Sequence, residues 1–352
     1  MRVENKLNYY PELNGIRAIA AFMVILFHYF SEGPFPDIIK KISVLGQTGV
    51  TLFFVLSGFL MTRILINEKS SPNFFKVFYI GRILRIFPLY YFFLILFYIL
   101  SPILSETTNN FDDPKWTFFV FLQNIPMTFQ MPFNGPGHFW SLAVEEHFYL
   151  VLPILVFFLS QKALKYLLYI IILLAILFRV LILSQGFEIY QFTLTIMDGL
   201  AIGSLLAIYE KNNGFSMLNP KKIATFFIIL IIVFLIFWLA FSSKAVFFVQ
   251  IIKFTIIAFV FLLLILFAIS SNDKNIVKKL LLTKFMQFSG KISFGLYVFH
   301  PLCFLILQKE FRFNNILVDF LISIFTTFSI SSLSFYLFEA KFLKIKKARL
   351  VY

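Results

Sequence analysis

The sequence predicts an all-α bundle that crosses a lipid bilayer about ten times, with both termini in the cytoplasm. Three observations carry this. Of 352 residues, 60% are hydrophobic and 14% charged, against roughly 45–50% and about 25% in a soluble domain. The apolar residues gather into runs of the ~20 residues a spanning helix needs. The basic excess, 31 Lys and Arg against 17 Asp and Glu, falls mostly in the connections between those runs, so membrane topology explains it better than a nucleic-acid partner.

In chain order the predicted spans are 11–31, 46–67, 86–105, 140–160, 165–184, 190–209, 222–241, 246–270, 289–308 and 316–338. The first follows Arg2 and Lys6 but has no small-residue cleavage site after it, and Arg17 and His28 interrupt it; it reads as an uncleaved span rather than a secretory signal. An eleventh stretch, 116–129, is short, contains Gln123, Asn124 and Pro126, and runs into Met131-Pro-Phe-Asn-Gly-Pro-Gly137. If it does not cross, the N-terminus, 69–85, 162–165, 211–222, 274–284 and the tail 341–349 all fall on one side, as short basic cytoplasmic loops should. It is therefore read as interfacial or re-entrant, packed against protein. The other side then receives Glu32, Asp37, Glu106, Asp112, Asp113 and Glu188, with the scattered bases Lys40, Lys41, Lys115, Lys244, Lys309 and Arg312. No repeat or second domain stands out, so 1–352 is read as one transmembrane domain. The lone Cys303 excludes an internal disulfide and suits packing. No metal site is predicted.

Ionisable groups inside spans are functional candidates. Arg17 and His28 are eleven residues apart, close to three full turns, so they share a helix face yet stand ~16 Å apart. They read as the two ends of one elongated cavity; the plainer alternative is a snorkelling Arg and a His satisfied by a neighbour. Lys76, Arg82 and Arg85 lie in an amphipathic stretch suited either to the membrane surface or to clamping a phosphorylated ligand. Ser57 lies in Phe53-Phe-Val-Leu-Ser-Gly-Phe59, where small residues commonly allow close helix contact. His138-Phe-Trp-Ser-Leu-Ala-Val-Glu-Glu-His147 puts Ser141 and Glu145 on one face. Ser289-Gly-Lys-Ile-Ser293 precedes Tyr297 and His300-Pro301, whose Pro could kink the helix. If Arg17, His28, Ser57, Glu145, Tyr297 and His300 all face inward, a continuous polar passage runs from the cytoplasmic mouth to the external side.

Six segments in order resemble the acyltransferase-3 family of membrane O-acyltransferases, over roughly 13–339. They are Leu13-Asn-Gly-Ile-Arg-Ala-Ile-Ala20 leading to His28, Gly49-Val-Thr-Leu-Phe-Phe-Val-Leu-Ser-Gly-Phe-Leu60, Arg82-Ile-Leu-Arg-Ile-Phe-Pro-Leu-Tyr90, Trp140-Ser-Leu-Ala-Val-Glu145 with Phe148-Tyr149, Asp198-Gly199 to Gly203, and Ser293-Phe-Gly-Leu-Tyr-Val-Phe-His-Pro301. Asn14 stands where the family usually has Asp, His147 where Gln is common, and Phe338-Glu339 lacks the usual following basic residue and Pro. The resemblance implies transfer of an acyl group, commonly acetyl, from cytoplasmic acyl-CoA to a hydroxyl of a cell-surface polysaccharide or lipid-linked sugar, in a bacterial plasma membrane. Many members carry an added extracytoplasmic hydrolase-like domain; the tail 340–352 leaves no room for one, and a stand-alone form is expected. No tightly bound cofactor or nucleic acid is expected; partners would be acyl-CoA, the glycan acceptor and membrane lipids. On this resemblance Arg82 and Arg85, with Arg17 deeper, would hold the donor's phosphates and pantetheine entrance. His28 would be the general base, and Glu145 would orient it or bind the sugar. Ser57 or Trp140 would line the acyl pocket, and Ser141, Tyr297 and His300 would contact substrate. The rival readings are a flippase for a lipid-linked saccharide and a scaffold whose polar groups only join helices.

Overall fold

The structure is a computed structural model that describes residues 7–32, 35–104, 114–216, 218–240, 247–310 and 315–349. Its first helices are α1 (Glu12–Glu32), α2 (Asp37–Ser43), a 3₁₀ segment Val44–Thr48, α3 (Gly49–Glu68) and α4 (Phe74–Leu104). After them come the short α5 (Trp116–Phe119) and α6 (Asn124–Thr128), then α7 (Trp140–Phe158), α8 (Gln161–Ser184), α9 (Thr193–Ile196) and α10 (Asp198–Asn213). The chain ends with α11 (Pro220–Ala240), α12 (Phe247–Ser270), α13 (Ile276–Leu281), α14 (Lys284–Lys291), α15 (Ser293–Glu310), α16 (Ile316–Ser334), a π turn Phe335–Glu339 and α17 (Ala340–Arg349). Seven helical stretches among the described residues are long and apolar enough to cross a membrane, and an eighth is a pair bent by 74°.

Three predicted spans differ in shape. The run 190–209 is two helices, α9 and α10, broken at Met197. The run 289–308 contains the 74° bend, between α14 and α15 at Ile292; Pro301 sits inside continuous helix, so it is not the kink. The span predicted from 86 begins at Phe74, so Lys76, Arg82 and Arg85 belong to α4 itself and not to a separate surface stretch. Hydropathy reports composition, and neither a bend nor an inward-facing Arg changes the lipid-facing composition enough to be seen. The segment 116–129 forms helices of four and five residues with Gln123 and Asn124 fully buried. Glu106, Asp112, Asp113, Lys244 and Arg312 lie outside the described residues.

Polar contacts collect the basic connections at one end of the bundle. Lys278 bonds Glu12 at 2.9 Å and Asp273 at 3.1 Å. Arg63 pairs with Glu210 and donates to the Asn8 carbonyl at 3.0 Å, while Tyr10 donates to Glu210 at 2.7 Å. Lys69 donates to the Leu159 carbonyl at 2.7 Å, and Arg85 lies 3.9 Å from Glu339. At the centre α3 lies directly against α10. A methyl group on Gly58 would overlap the Leu200 carbonyl, and one on Gly203 the Val55 carbonyl, so this contact needs glycine on both helices.

Candidate active site

A cavity of about 120 Å³ opens among α1, α3, α4, α7 and α15. Its polar lining is Arg17, Ser57, Arg82, Arg85, Ser141, Glu145, Tyr149, Ser293 and Tyr297; Phe53, Phe54, Leu60 and Phe294 supply much of the apolar wall. Glu145 is held by two hydroxyls, accepting from Ser57 Oγ at 2.7 Å and from Tyr149 at 3.2 Å. Tyr149 follows Glu145 by four residues on the same helix face, and its ring carries the Arg82 guanidinium 5.8 Å from its centroid. Arg85 faces the Phe294 ring at 6.0 Å as well as Glu339.

Among the described residues no carboxylate lies within ion-pair distance of Arg17 or Arg82. Three guanidiniums therefore share the cavity with Glu145, and Glu339 answers only Arg85. A cavity with this excess of positive charge, walled by apolar rings, is built to attract an anion and to hold it by planar, forked donors.

Ser141 and Tyr297, both in the lining, form a hydroxyl pair. Tyr297 donates to the His138 carbonyl, which can only accept, so the 2.6 Å contact between Ser141 and Tyr297 has Ser141 as donor. Behind Tyr297 stand three imidazoles. The His138 ring is 5.4 Å from the Tyr297 ring and 5.5 Å from that of His300, and the His28 and His300 rings are 4.9 Å apart. His28 Nδ1 lies 3.0 Å from the Val24 carbonyl and 3.1 Å from His300 Nε2.

The structure thus brings Arg17, Arg82, Arg85, Ser57, Ser141, Glu145 and Tyr297 into one cavity. It corrects four expectations. Arg17 and His28 are not the two ends of this cavity: Arg17 lines it and His28 does not. Glu145 does not contact His28, because Ser57 and Tyr149 engage it; His28 Nδ1 faces the Val24 carbonyl and His300 Nε2. Trp140 does not line this cavity; its ring packs against Tyr190 at 4.5 Å and Phe54 at 6.1 Å beside a separate void of about 20 Å³. His300 is fully enclosed and its Nε2 is turned to His28, so it is not placed to touch substrate. Tyr149, Ser293 and His138 were not assigned roles by sequence reasoning. Each is three or four residues from an assigned group, the spacing that puts helix neighbours on one face. Glu146, next to Glu145, is absent from the cavity lining.

Arg179, in α8, was also passed over. It is fully buried, 2.5 Å from Asp198, and donates to the Thr195 and Ile251 carbonyls and to Thr255. This clamp secures the α9–α10 break. A lone Arg inside an apolar run was the available signal. His147 likewise serves the fold, bonding Thr193 at 2.7 Å.

A multi-pass bundle with a cation-lined cavity that ends beside a histidine cluster is the frame of a membrane-embedded group-transfer enzyme. The family described as "Acyltransferase domain" matches residues 10–336, and the chain belongs to this acyltransferase-3 family. It is 28% identical over 315 residues to the peptidoglycan O-acetyltransferase OatA of Listeria monocytogenes, covering 83% of this chain and 49% of that one. A putative O-acetyltransferase of Staphylococcus aureus (strain COL) is 29% identical over 164 residues, 43% of this chain and 25% of the relative. An uncharacterized protein of Haemophilus influenzae is 33% identical over 184 residues, 45% of this chain and 74% of the relative. The chain thus spans about half the length of the Listeria relative and a quarter of the staphylococcal one. No solved structure matches.

Proposed function

We propose that this acyltransferase is an O-acetyltransferase of the bacterial plasma membrane, taking acetyl from cytoplasmic acyl-CoA to a hydroxyl of a cell-surface polysaccharide or lipid-linked sugar. The observation that carries this is the charge and size of the cavity. About 120 Å³ admits several waters or the tip of a substrate but no nucleotide. The donor's phosphates therefore stay at the mouth, on Arg82 and Arg85, while the thioester end passes Arg17 and Glu145. The basic connections of the chain support reading this end as cytoplasmic.

His28 is the general base. The acceptor oxygen bonds to the acyl carbon as its proton moves to His28, the carbon–sulfur bond breaks, and the departing thiolate takes that proton. General-base help is worth ~10²–10⁴-fold. His28→Ala and Arg17→Ala, each at wild-type abundance in membranes, are expected to lose transfer of label from acetyl-CoA to surface glycan; full activity in both overturns the reading.

A further inference from the structure

We infer that His300 is a positioning residue that fixes the tautomer and ring orientation of His28, leaving His28 Nε2 as the proton-accepting atom. The inference rests on the reading of His28 as the base and adds a residue to it. Backbone carbonyls accept and never donate. His300 Nδ1 is 3.0 Å from the Leu296 carbonyl and His28 Nδ1 is 3.0 Å from the Val24 carbonyl, so both Nδ1 atoms carry hydrogen. In a neutral imidazole the other nitrogen is then bare. His300 Nε2, bare, stands 3.1 Å from the His28 Nδ1–H and accepts it. His28 Nε2 is left as a lone pair with no bonded partner among the described residues.

Val24 alone is a weak guide for the ring. It is four residues before His28 on the same helix, so its carbonyl already accepts the helical N–H of His28. His300 offers an undivided lone pair on a different helix, α15, and is itself packed on several sides. It is fully enclosed, with the His138, Phe304 and Tyr297 rings 5.5, 5.8 and 6.0 Å away. When His28 gains the acceptor's proton on Nε2, its Nδ1–H becomes a charged donor and the bond to His300 strengthens. His300 exchanges no proton. It occupies the place of the orienting third group in a nucleophile–base–orienter arrangement, without adding a buried negative charge.

The test uses the full chain in membranes with acetyl-CoA as donor. His300→Leu removes the acceptor, whereas His300→Gln puts an amide oxygen close to the place of Nε2. For Leu the expected result is a kcat about 10–100-fold lower with KM for acetyl-CoA unchanged, taking as a guide the loss seen when a metal-bound histidine loses its hydrogen-bond partner. Gln is expected to restore most of kcat, which a purely structural role does not predict. Because His300 acts only through His28, His28→Ala/His300→Leu is expected to be no worse than His28→Ala. Full activity of Leu at equal abundance, a Gln variant as impaired as Leu, a rise in KM with kcat unchanged, or additive losses in the double variant each overturn the inference while the base assignment stands. An active His28→Ala instead overturns the base assignment itself, and this inference with it.

Discussion

Arg179→Met is the sharpest test of how the bundle holds a broken span. Arg179 makes four close polar contacts: 2.5 Å to the Thr195 carbonyl, 2.9 Å to the Ile251 carbonyl, 2.8 Å to Thr255 Oγ1 and 2.5 Å to Asp198 Oδ2. Asp198 also accepts from Thr255 at 2.6 Å and from the Gly199 N–H at 3.1 Å. Both charges are almost wholly enclosed, at 0% and 1% exposure, so water cannot replace the lost partner. Breaking a buried pair from one side costs about 3–5 kcal/mol, whereas removing both charges is often near neutral. At ~2 °C per kcal/mol, Arg179→Met and Asp198→Asn should each lower the unfolding midpoint by roughly 6–10 °C. Arg179→Met/Asp198→Asn should fall no further than either alone. Tryptophan fluorescence on heating in detergent reads all three. Single losses under about 1 kcal/mol, or a double loss equal to the sum of the two, refute the coupling.

Two further outcomes follow from the geometry. Arg82→Ala and Arg85→Ala should raise KM for acetyl-CoA by about tenfold or more with a smaller effect on kcat, and Lys at either position should rescue only in part, since an ammonium lacks the guanidinium fork; steady-state kinetics against donor concentration checks this. Tyr10 titrates at a pKa raised to about 12, by burial first and then by its bond to Glu210. Its contribution is fully present below the ordinary tyrosine pKa of ~10 and is lost as pH rises through about 12, so Tyr10→Phe should cost about 1 kcal/mol equally between about pH 6 and 9 in thermal unfolding.

The membrane class and most helices were legible because lipid demands long apolar runs, and the runs were there. Arg17, Ser57, Glu145, Ser141 and Tyr297 share a cavity as expected, since polar groups in such runs must turn inward. What the sequence lacks is the rotation of one helix against another. Glu145 and His28 both face inward, but α7 presents Glu145 to Ser57 on α3, whereas α1 presents His28 to His300 on α15. Trp140, one residue from Ser141, turns to Tyr190 for the same reason. The breaks at Met197 and Ile292 had local signals, Asp198-Gly199 after the first and Ser289-Gly290-Lys291 with Ser293 around the second, but averaging over a span-length window hides them.

Those breaks also separate two kinds of buried polar residue. Backbone freed by a break inside a bilayer must be satisfied by protein. Arg179 bonds the Thr195 carbonyl and Asp198 the Gly199 N–H at the α9–α10 break. Gln123 bonds the Phe139 carbonyl, and His138 lies 3.3 Å from the Val298 carbonyl. Each of these side chains serves backbone. Arg17, Arg82 and Glu145 stand on uninterrupted helices, Glu12–Glu32, Phe74–Leu104 and Trp140–Phe158, and among the described residues none of the three bonds a backbone group. Glu145 still joins Ser57 and Tyr149, whereas Arg17 and Arg82 have no hydrogen bond or ion pair among the described residues. Charge placed where neither the backbone nor an ion pair needs it is free to meet a ligand, and this separates Arg17 and Arg82 from the polar residues that only hold the bundle together.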